Sequence, residues 1–88
     1  MFDILKIRDD FPILSRQVNG KPLVYFDNGA SAQKPQVVID AINTAYAEEY
    51  ANVHRGLHTL STIATEKYEG VRAKIARFLN AGSEDNII

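Results

Sequence analysis

The fold of this chain depends most on the stretch Leu23-Val24-Tyr25-Phe26-Asp27-Asn28-Gly29-Ala30-Ser31-Ala32. Its first four residues form a continuous apolar run, rich in aromatic and branched side chains and closed by Asp27, which predicts a buried β-strand. Residues 28–32 carry only small side chains. A loop of this kind between a strand and a helix often turns backbone N–H groups toward a ligand. Composition alone favours an ordinary strand–helix connection over a ligand loop.

The residues before this stretch predict a short helix and a tight hairpin. Asp3 is a suitable N-cap for a helix from Ile4 to about Asp10. Pro12 is expected to end that helix, because the residue before a proline is pushed out of the α region. The sequence Val18-Asn19-Gly20-Lys21 then favours a type I′ hairpin turn, since Asn and Gly both tolerate positive φ.

The first helix after the stretch is predicted to run from Pro35 to about Tyr50. Proline is favoured at the first helical position, where its missing N–H costs nothing. The positions expected on one packed face are Val38, Ala41, Ile42, Ala45, Tyr46 and Glu49.

A long helix is predicted from about Thr59 or Ser61 to Asn80, with a Ser or Thr as its N-cap and Gly82 just beyond its end. Residues 83–86 then predict a turn, and Ile87-Ile88 resembles the start of another strand. The apolar stripe expected to be core comprises Ile63 or Ala64, Tyr68, Val71, Ile75, Phe78 and Leu79.

Composition narrows the classes of function. The 88 residues suffice for one small domain, and 45% hydrophobic with 24% charged residues is ordinary for a globular protein. A net charge of -1 without a basic run argues against nucleic acid as a partner. No stretch approaches the roughly 18 apolar residues of a membrane helix, so no membrane partner and a cytoplasmic location are expected. There is no cysteine, which excludes a disulfide, a thiolate metal site and a catalytic thiol within these residues.

Residues 51–58 place two histidines, an arginine and a glycine in a short stretch without periodicity. His54 and His58 are four apart and would share a helical face, the spacing of a chelating pair. Gly56 weakens such a helix and no third ligand is near, so no metal site is predicted. A structural role is favoured for His58.

Several motifs together resemble the opening of class V aminotransferase-fold enzymes. They are residues 10–14, 18–23 and 25–35, followed by Asn52-Val53-His54-Arg55-Gly56-Leu57-His58-Thr59-Leu60-Ser61, then Ala64-Thr65, Tyr68-Glu69 and Arg72. The His-Arg-Gly-x-His block looks most like the group II, SUF-type cysteine desulfurases and their selenocysteine lyase relatives. Members of this family often have Ala-Ala where this chain has Gly29-Ala30.

The resemblance implies the α/β fold type I of the enzymes that use pyridoxal 5'-phosphate (PLP). Within it, residues 1–88 would be the N-terminal part of the enzyme and not a complete domain. About 1–20 would be a small-domain helix and linker, and about 21–88 the start of the large domain. This part is expected to be mostly helical, with one or two short strands.

The resemblance also implies an activity and its partners. The family converts L-cysteine to L-alanine and delivers the sulfur as an enzyme persulfide for iron–sulfur cluster assembly. The partners implied are a second identical subunit and a sulfur-acceptor protein of the SUF type. Gly29 and Ala30 would lie beside the substrate carboxylate, and His54 and Arg55 at the mouth of the active site near the subunit interface.

No catalytic or cofactor-binding residue of the family falls on these 88 positions. None of the five lysines matches the lysine that binds PLP, and the ring-stacking histidine, the ring-nitrogen aspartate and the phosphate loop lie downstream in the family. The chain alone is therefore expected to be inactive.

Two kinds of alternative stay open at this stage. Selenocysteine lyase, kynureninase-like or transaminase chemistry would share these motifs. A non-enzymatic helical interaction module would instead be a stable folded monomer. The fragment hypothesis predicts a chain that is poorly folded or self-associated by itself, because its apolar faces lack partners.

Overall fold

The computed structural model describes residues 1–53 and 57–88. The chain forms two compact units, Met1–Thr44 and Ala45–Ile88, and each is described by itself. The predicted boundary near residue 20, between parts of a small and a large domain, concerns a longer protein and stays a prediction.

The first unit begins with α1 (Ile4–Asp9). The Asp3 side chain accepts a hydrogen bond from the Lys6 N–H at 3.1 Å, which confirms the predicted cap. The helix ends at Asp9, and Phe11, the residue before Pro12, has the extended backbone that was predicted for it, with φ -110° and ψ 97°. Pro12 then opens a 3₁₀ turn, Pro12–Ser15, at a position where its fixed φ is favourable.

The predicted hairpin is confirmed. Strands β1 (Gln17–Val18) and β2 (Lys21–Pro22) pair antiparallel, with Val18 opposite Lys21. Asn19 and Gly20 form the two-residue turn with φ of 52° and 74°. Positive φ at both central positions is the signature of the type I′ turn, which matches the twist of the strands.

The predicted buried strand over Leu23–Phe26 is wrong. No strand is assigned there, and Val24 and Phe26 are 71% and 96% exposed. A β-strand needs a neighbour to satisfy its backbone groups, and within the described residues only β1 and β2 pair. The side chains of the run alternate between half-buried, at Leu23 and Tyr25, and exposed, at Val24 and Phe26, which is the pattern of an extended segment without a partner strand.

Helix α2 (Gln36–Thr44) begins one residue later than predicted. The Pro35 carbonyl accepts the first hydrogen bonds, from Val38 and Ile39, so proline occupies the capping position and not the first helical one. The Gln36 N–H donates to the Asp10 carbonyl at 2.8 Å and so ties the start of α2 to the end of α1. Five of the six positions predicted to pack are exposed, Ile42 among them, and Glu49 is half-buried.

The second unit opens with a π-helical turn, Ala45–Glu49, so the predicted helical span continues nearly to Tyr50 with wider winding. Helix α3 (Thr59–Leu79) follows, close to its predicted bounds. It packs against the π turn and against a 3₁₀ turn, Glu84–Asn86, which confirms the turn predicted over residues 83–86.

Both predicted caps of α3 are wrong. The N-cap is His58, not a Ser or Thr, and its side chain accepts from the Ser61 N–H. At the other end Asn80, not Gly82, adopts the left-handed conformation, with φ 54°. The Ala81 N–H then reaches the Ala76 carbonyl at 2.8 Å, the bond that defines a Schellman motif. Asparagine tolerates this conformation better than most residues.

The apolar stripe of α3 is not a core in this chain. Phe78 is 88% exposed, and the other members are exposed or only half-buried. The buried residues among those described are Ser61, at 1% exposed, and Ala76, at 7%. Ser61 lies where its hydroxyl donates to the Asn52 carbonyl, and Ala76 lies where its carbonyl accepts from the Ala81 N–H.

The strand predicted at Ile87-Ile88 does not form in the described chain. Ile87 has an extended backbone, with φ -98° and ψ 115°, and lies with Ile88 beside Tyr68 and Val71 of α3. The described chain is mostly helical with two short strands, as predicted. None of its described helices is long and apolar enough to cross a membrane.

Candidate functional site

The predicted substrate-binding residues Gly29 and Ala30 lie in one tight turn. The N–H groups of Ala30 and Ser31 both donate to the Asp27 carbonyl, at N···O distances of 3.1 and 3.0 Å. Two donors on one carbonyl wind this segment into a single helical turn. The turn follows directly on the extended segment, because Asp27 ends the apolar run.

Two side chains outside the predicted pair hold this turn. The Tyr25 hydroxyl donates to the Ser31 carbonyl at 2.6 Å and lies 3.4 Å from the Asp27 carbonyl. The Asn28 side-chain oxygen accepts from the Gln33 N–H at 3.0 Å. Tyr25 thus holds the C-terminal end of the turn, and Asn28 connects the turn to the segment that follows it.

At Gly29 the turn has open space around the Cα atom and a backbone N–H without an acceptor among the described residues. No heavy atom lies within 4 Å of the position that a Cβ on Gly29 would take. The Ala30 N–H is used inside the turn, whereas no hydrogen bond among the described residues uses the Gly29 N–H. A neutral N–H at an open position suits an anionic group such as a carboxylate. Of the two predicted residues, Gly29 is therefore the one with a backbone donor available in this conformation.

The other two predicted substrate-binding residues, His54 and Arg55, lie outside the described residues, so their roles stay predictions. The segments on either side of them are described. The Ser61 hydroxyl donates to the Asn52 carbonyl at 2.9 Å, and His58 caps α3. The structural role favoured for His58 agrees with this cap.

The described residues do not form a PLP site by themselves. Such a site gathers a lysine amine, an acidic or basic partner for the ring nitrogen and a phosphate-binding helix terminus. In the described part of the chain the Lys67 ammonium pairs with Glu49, and the Lys34 ammonium donates to the Ala32 carbonyl. The remaining lysines lie on α1, on β2 and in the C-terminal half of α3: Lys6, Lys21 and Lys74.

No metal site is found among the described residues, since no three acidic or histidine side chains gather there. Of the two histidines considered as a chelating pair, for which no metal site was predicted, His54 lies outside that part of the chain. His58 directs its Nδ1 to the Ser61 N–H, at 3.2 Å. In this conformation that nitrogen is occupied as an acceptor.

Sequence reasoning missed Tyr25 and Asn28 as residues that shape the site. The apolar run predicts a buried strand at Tyr25, in which only the packing of its ring counts. One signal was present, because a partly buried tyrosine hydroxyl usually finds an acceptor. Among residues 28–32 the sequence presents Asn28 only as one of several small residues, although asparagine in a turn often hydrogen-bonds to nearby backbone.

Comparison with known proteins gives consistent matches along the chain. The family model "Aminotransferase class-V" matches residues 24–88. The chain is 56% identical over 87 residues to a cysteine desulfurase of Serratia proteamaculans, which covers 99% of the chain and 21% of that protein. It has the same identity and coverage with a cysteine desulfurase of Yersinia pestis.

A third relative extends the match to every residue. The chain is 53% identical over 88 residues to a probable cysteine desulfurase of Mycolicibacterium paratuberculosis, covering 13% of that protein. The chain thus spans about a fifth or less of the length of these relatives. Since the family model covers most of its residues, the chain belongs to the class V aminotransferase family.

Proposed function

We propose that this chain is the N-terminal part of a PLP-dependent cysteine desulfurase. The complete enzyme would convert L-cysteine to L-alanine and release the sulfur as a persulfide on an enzyme cysteine. The proposal includes the SUF type, with sulfur delivered to iron–sulfur cluster assembly through a SUF-type acceptor protein. It also includes a homodimer of identical subunits and a cytoplasmic location.

One observation carries the proposal. Identity of 56% extends over 87 of the 88 residues to proteins named cysteine desulfurase. An identity of this size across the whole chain is far more specific than a shared fold, which by itself would not imply a reaction. The motif His54-Arg55-Gly56-Leu57-His58 supports the SUF type, because group I desulfurases resemble this chain less at that block.

The chain alone is proposed to be inactive, for a chemical reason. PLP, when bound, serves as an electron sink for the substrate carbanion. The 88 residues contain no cysteine to carry a persulfide. Lys67 and Lys34 are engaged in the contacts described above, and the described residues do not gather a cofactor site around any lysine. What this part supplies is substrate contact, through the Gly29 turn and through His54 and Arg55.

The alternative of an independent helical module is less well supported. A stable monomer needs a buried core, because burial of apolar area is the main favourable term in folding. Among the described residues only Ala76 and Ser61 are buried, and large side chains such as Phe26 and Phe78 are exposed. That pattern favours a chain whose apolar surface is covered by further protein.

The proposal is tested with the complete enzyme that begins with this chain. L-Cysteine and a reductant are supplied, and L-alanine and sulfide are measured over time, with L-selenocysteine in a parallel assay. We expect equal amounts of alanine and sulfide from L-cysteine. Turnover of selenocysteine with no turnover of cysteine would assign the lyase reaction instead and overturn the proposal.

The 88-residue chain alone provides the control. It is mixed with an equal amount of PLP, treated with borohydride and digested for mass spectrometry. We expect no lysine to be modified stoichiometrically and no alanine to be formed. A single fully modified lysine, or turnover by the chain alone, would contradict the proposed inactivity.

A further inference from the structure

The turn that carries Gly29 is held by a side chain that lies outside it. The Tyr25 hydroxyl has one proton, and the 2.6 Å contact with the Ser31 carbonyl takes it. The Asp27 carbonyl, 3.4 Å from the same oxygen, lies at the other end of the turn. The Tyr25 hydroxyl therefore lies close to carbonyls at both ends of the turn. Its hydrogen bond to Ser31 joins residues six apart in the sequence.

The extended segment before the turn explains why Tyr25 can do this. Side chains alternate across an extended backbone, and here Val24 and Phe26 are exposed while Tyr25 is half-buried. Tyr25 thus projects to the side on which the turn folds back. In the described chain no strand pairs with this segment; its first residue, Leu23, donates its N–H to the Arg16 carbonyl at 3.1 Å.

The two backbone bonds to Asp27 do not hold the turn firmly by themselves. Single helical turns are unfavourable in isolation, because several dihedral angles are fixed for few hydrogen bonds. The Asn28 side chain adds one link, to the Gln33 N–H, beyond the turn. The Tyr25 bond is the one that acts on the Ser31 carbonyl, immediately after Gly29 and Ala30.

We propose that Tyr25 is a positioning residue for substrate binding, whose hydroxyl holds the 27–31 turn in the conformation that presents the Gly29 N–H to the substrate carboxylate. This inference rests on the proposed function, because it takes an α-amino acid as the ligand. Loss of the hydroxyl would lower the fraction of molecules with the competent turn. Apparent affinity falls in proportion to that fraction.

The test is Tyr25→Phe in the complete, PLP-loaded enzyme. Binding is followed through the absorbance of the bound cofactor during titration with L-alanine, which has a carboxylate, and with ethylamine, which has none. We expect Tyr25→Phe to weaken L-alanine by about three- to tenfold, the range for one lost hydrogen bond. Ethylamine is expected to bind within about twofold of wild type.

Two further variants serve as a matched control and as a rescue of the Tyr25 hydroxyl. Tyr46→Phe removes the hydroxyl of an exposed tyrosine whose ring lies on Tyr50, and it is expected to leave both titrations unchanged. Replacing Tyr25 by para-aminophenylalanine restores a donor at the same place and is expected to recover L-alanine binding. This rescue also addresses the possibility that the phenylalanine variant merely folds poorly.

The inference is overturned if Tyr25→Phe leaves L-alanine binding as in wild type, or weakens both ligands equally. The binding assay does not require turnover. If the wild-type enzyme binds L-alanine but forms no alanine from L-cysteine, the proposed function fails and the titrations still decide the role of Tyr25. If turnover is normal and the titrations are unaffected, only the present inference fails.

Discussion

The imidazole Nδ1 of His58 accepts a hydrogen bond from the backbone N–H of Ser61, with 3.2 Å between the two nitrogens. His58 thereby occupies the N-cap of α3, a position that usually holds Ser, Thr, Asp or Asn. The Ser61 hydroxyl in turn donates to the Asn52 carbonyl at 2.9 Å. The start of α3 is thus bound both to its own cap and to the segment that precedes residues 54–56.

The His58 cap predicts a specific order of helix stability. In a peptide of residues 57–82, His58→Ala should destabilise the helix by about 1 kcal/mol, because one N-terminal N–H loses its acceptor. His58→Asn should match or exceed wild type, since asparagine is among the best N-caps. Helix content is measured by circular dichroism. Equal loss in the Ala and Asn peptides would show that the histidine acts through something other than the cap.

Ser61 and Thr62 form a matched pair for the effect of burial. Each hydroxyl donates to a backbone carbonyl, Ser61 to Asn52 and Thr62 to His58, but Ser61 is buried and Thr62 is exposed. In the complete protein, Ser61→Ala should lower the free energy of unfolding by about 1–2 kcal/mol, because a hydrogen bond made by a buried hydroxyl is lost. Thr62→Ala should change it by less than about 0.5 kcal/mol. Urea unfolding measures both, and equal effects would contradict the assigned role of burial.

Gly70 and Gly20 should respond in opposite ways to alanine. Gly70 lies in the middle of α3 with no atom within 4 Å of an added Cβ. In the same 57–82 peptide, Gly70→Ala should stabilise the helix by about 1 kcal/mol. Gly20 has φ 74° in the hairpin turn, so Gly20→Ala should destabilise the complete protein by about 1 kcal/mol through strain. A destabilising Gly70→Ala in the peptide would show that α3 is not regular at that point.

The 88-residue chain alone should unfold without a sharp transition. Its large apolar side chains are mostly exposed, for example Leu5, Phe26 and Phe78. Exposed apolar patches promote self-association. We expect a broad thermal transition by circular dichroism and a concentration-dependent mass by light scattering. A sharp, concentration-independent transition of a monomer would support the independent module instead.

Parts of the fold that depend on near neighbours were predictable. The Asp3 cap, the Asn19-Gly20 turn and the span of α3 each follow from contacts within a few residues. The capping residues of α3 could not be predicted from the sequence, although capping also depends on residues close together in the chain. Several Ser and Thr residues compete at its start, and Ser61 donates its hydroxyl to the Asn52 carbonyl, nine residues earlier, while His58 takes the capping position.

The residues of the candidate site also fall into some that the sequence could predict and some that it could not. Gly29 and Ala30 could be singled out because small residues after an apolar run mark a loop that a ligand can approach. The role of Tyr25 could not be predicted from the sequence. Its hydroxyl donates to a carbonyl six residues away, and this contact depends on how the backbone folds back.

By itself the sequence determined the family of this chain, its helical content and its tight turns, because motifs, caps and φ preferences are properties of short segments. Only the tertiary structure decided that residues 23–26 are not a strand, that Ser61 and Ala76 are the buried side chains, and that Tyr25 braces the Gly29 turn. The physical reason is that strand pairing, burial and long-range hydrogen bonds require partners, and folding decides which partners each segment meets.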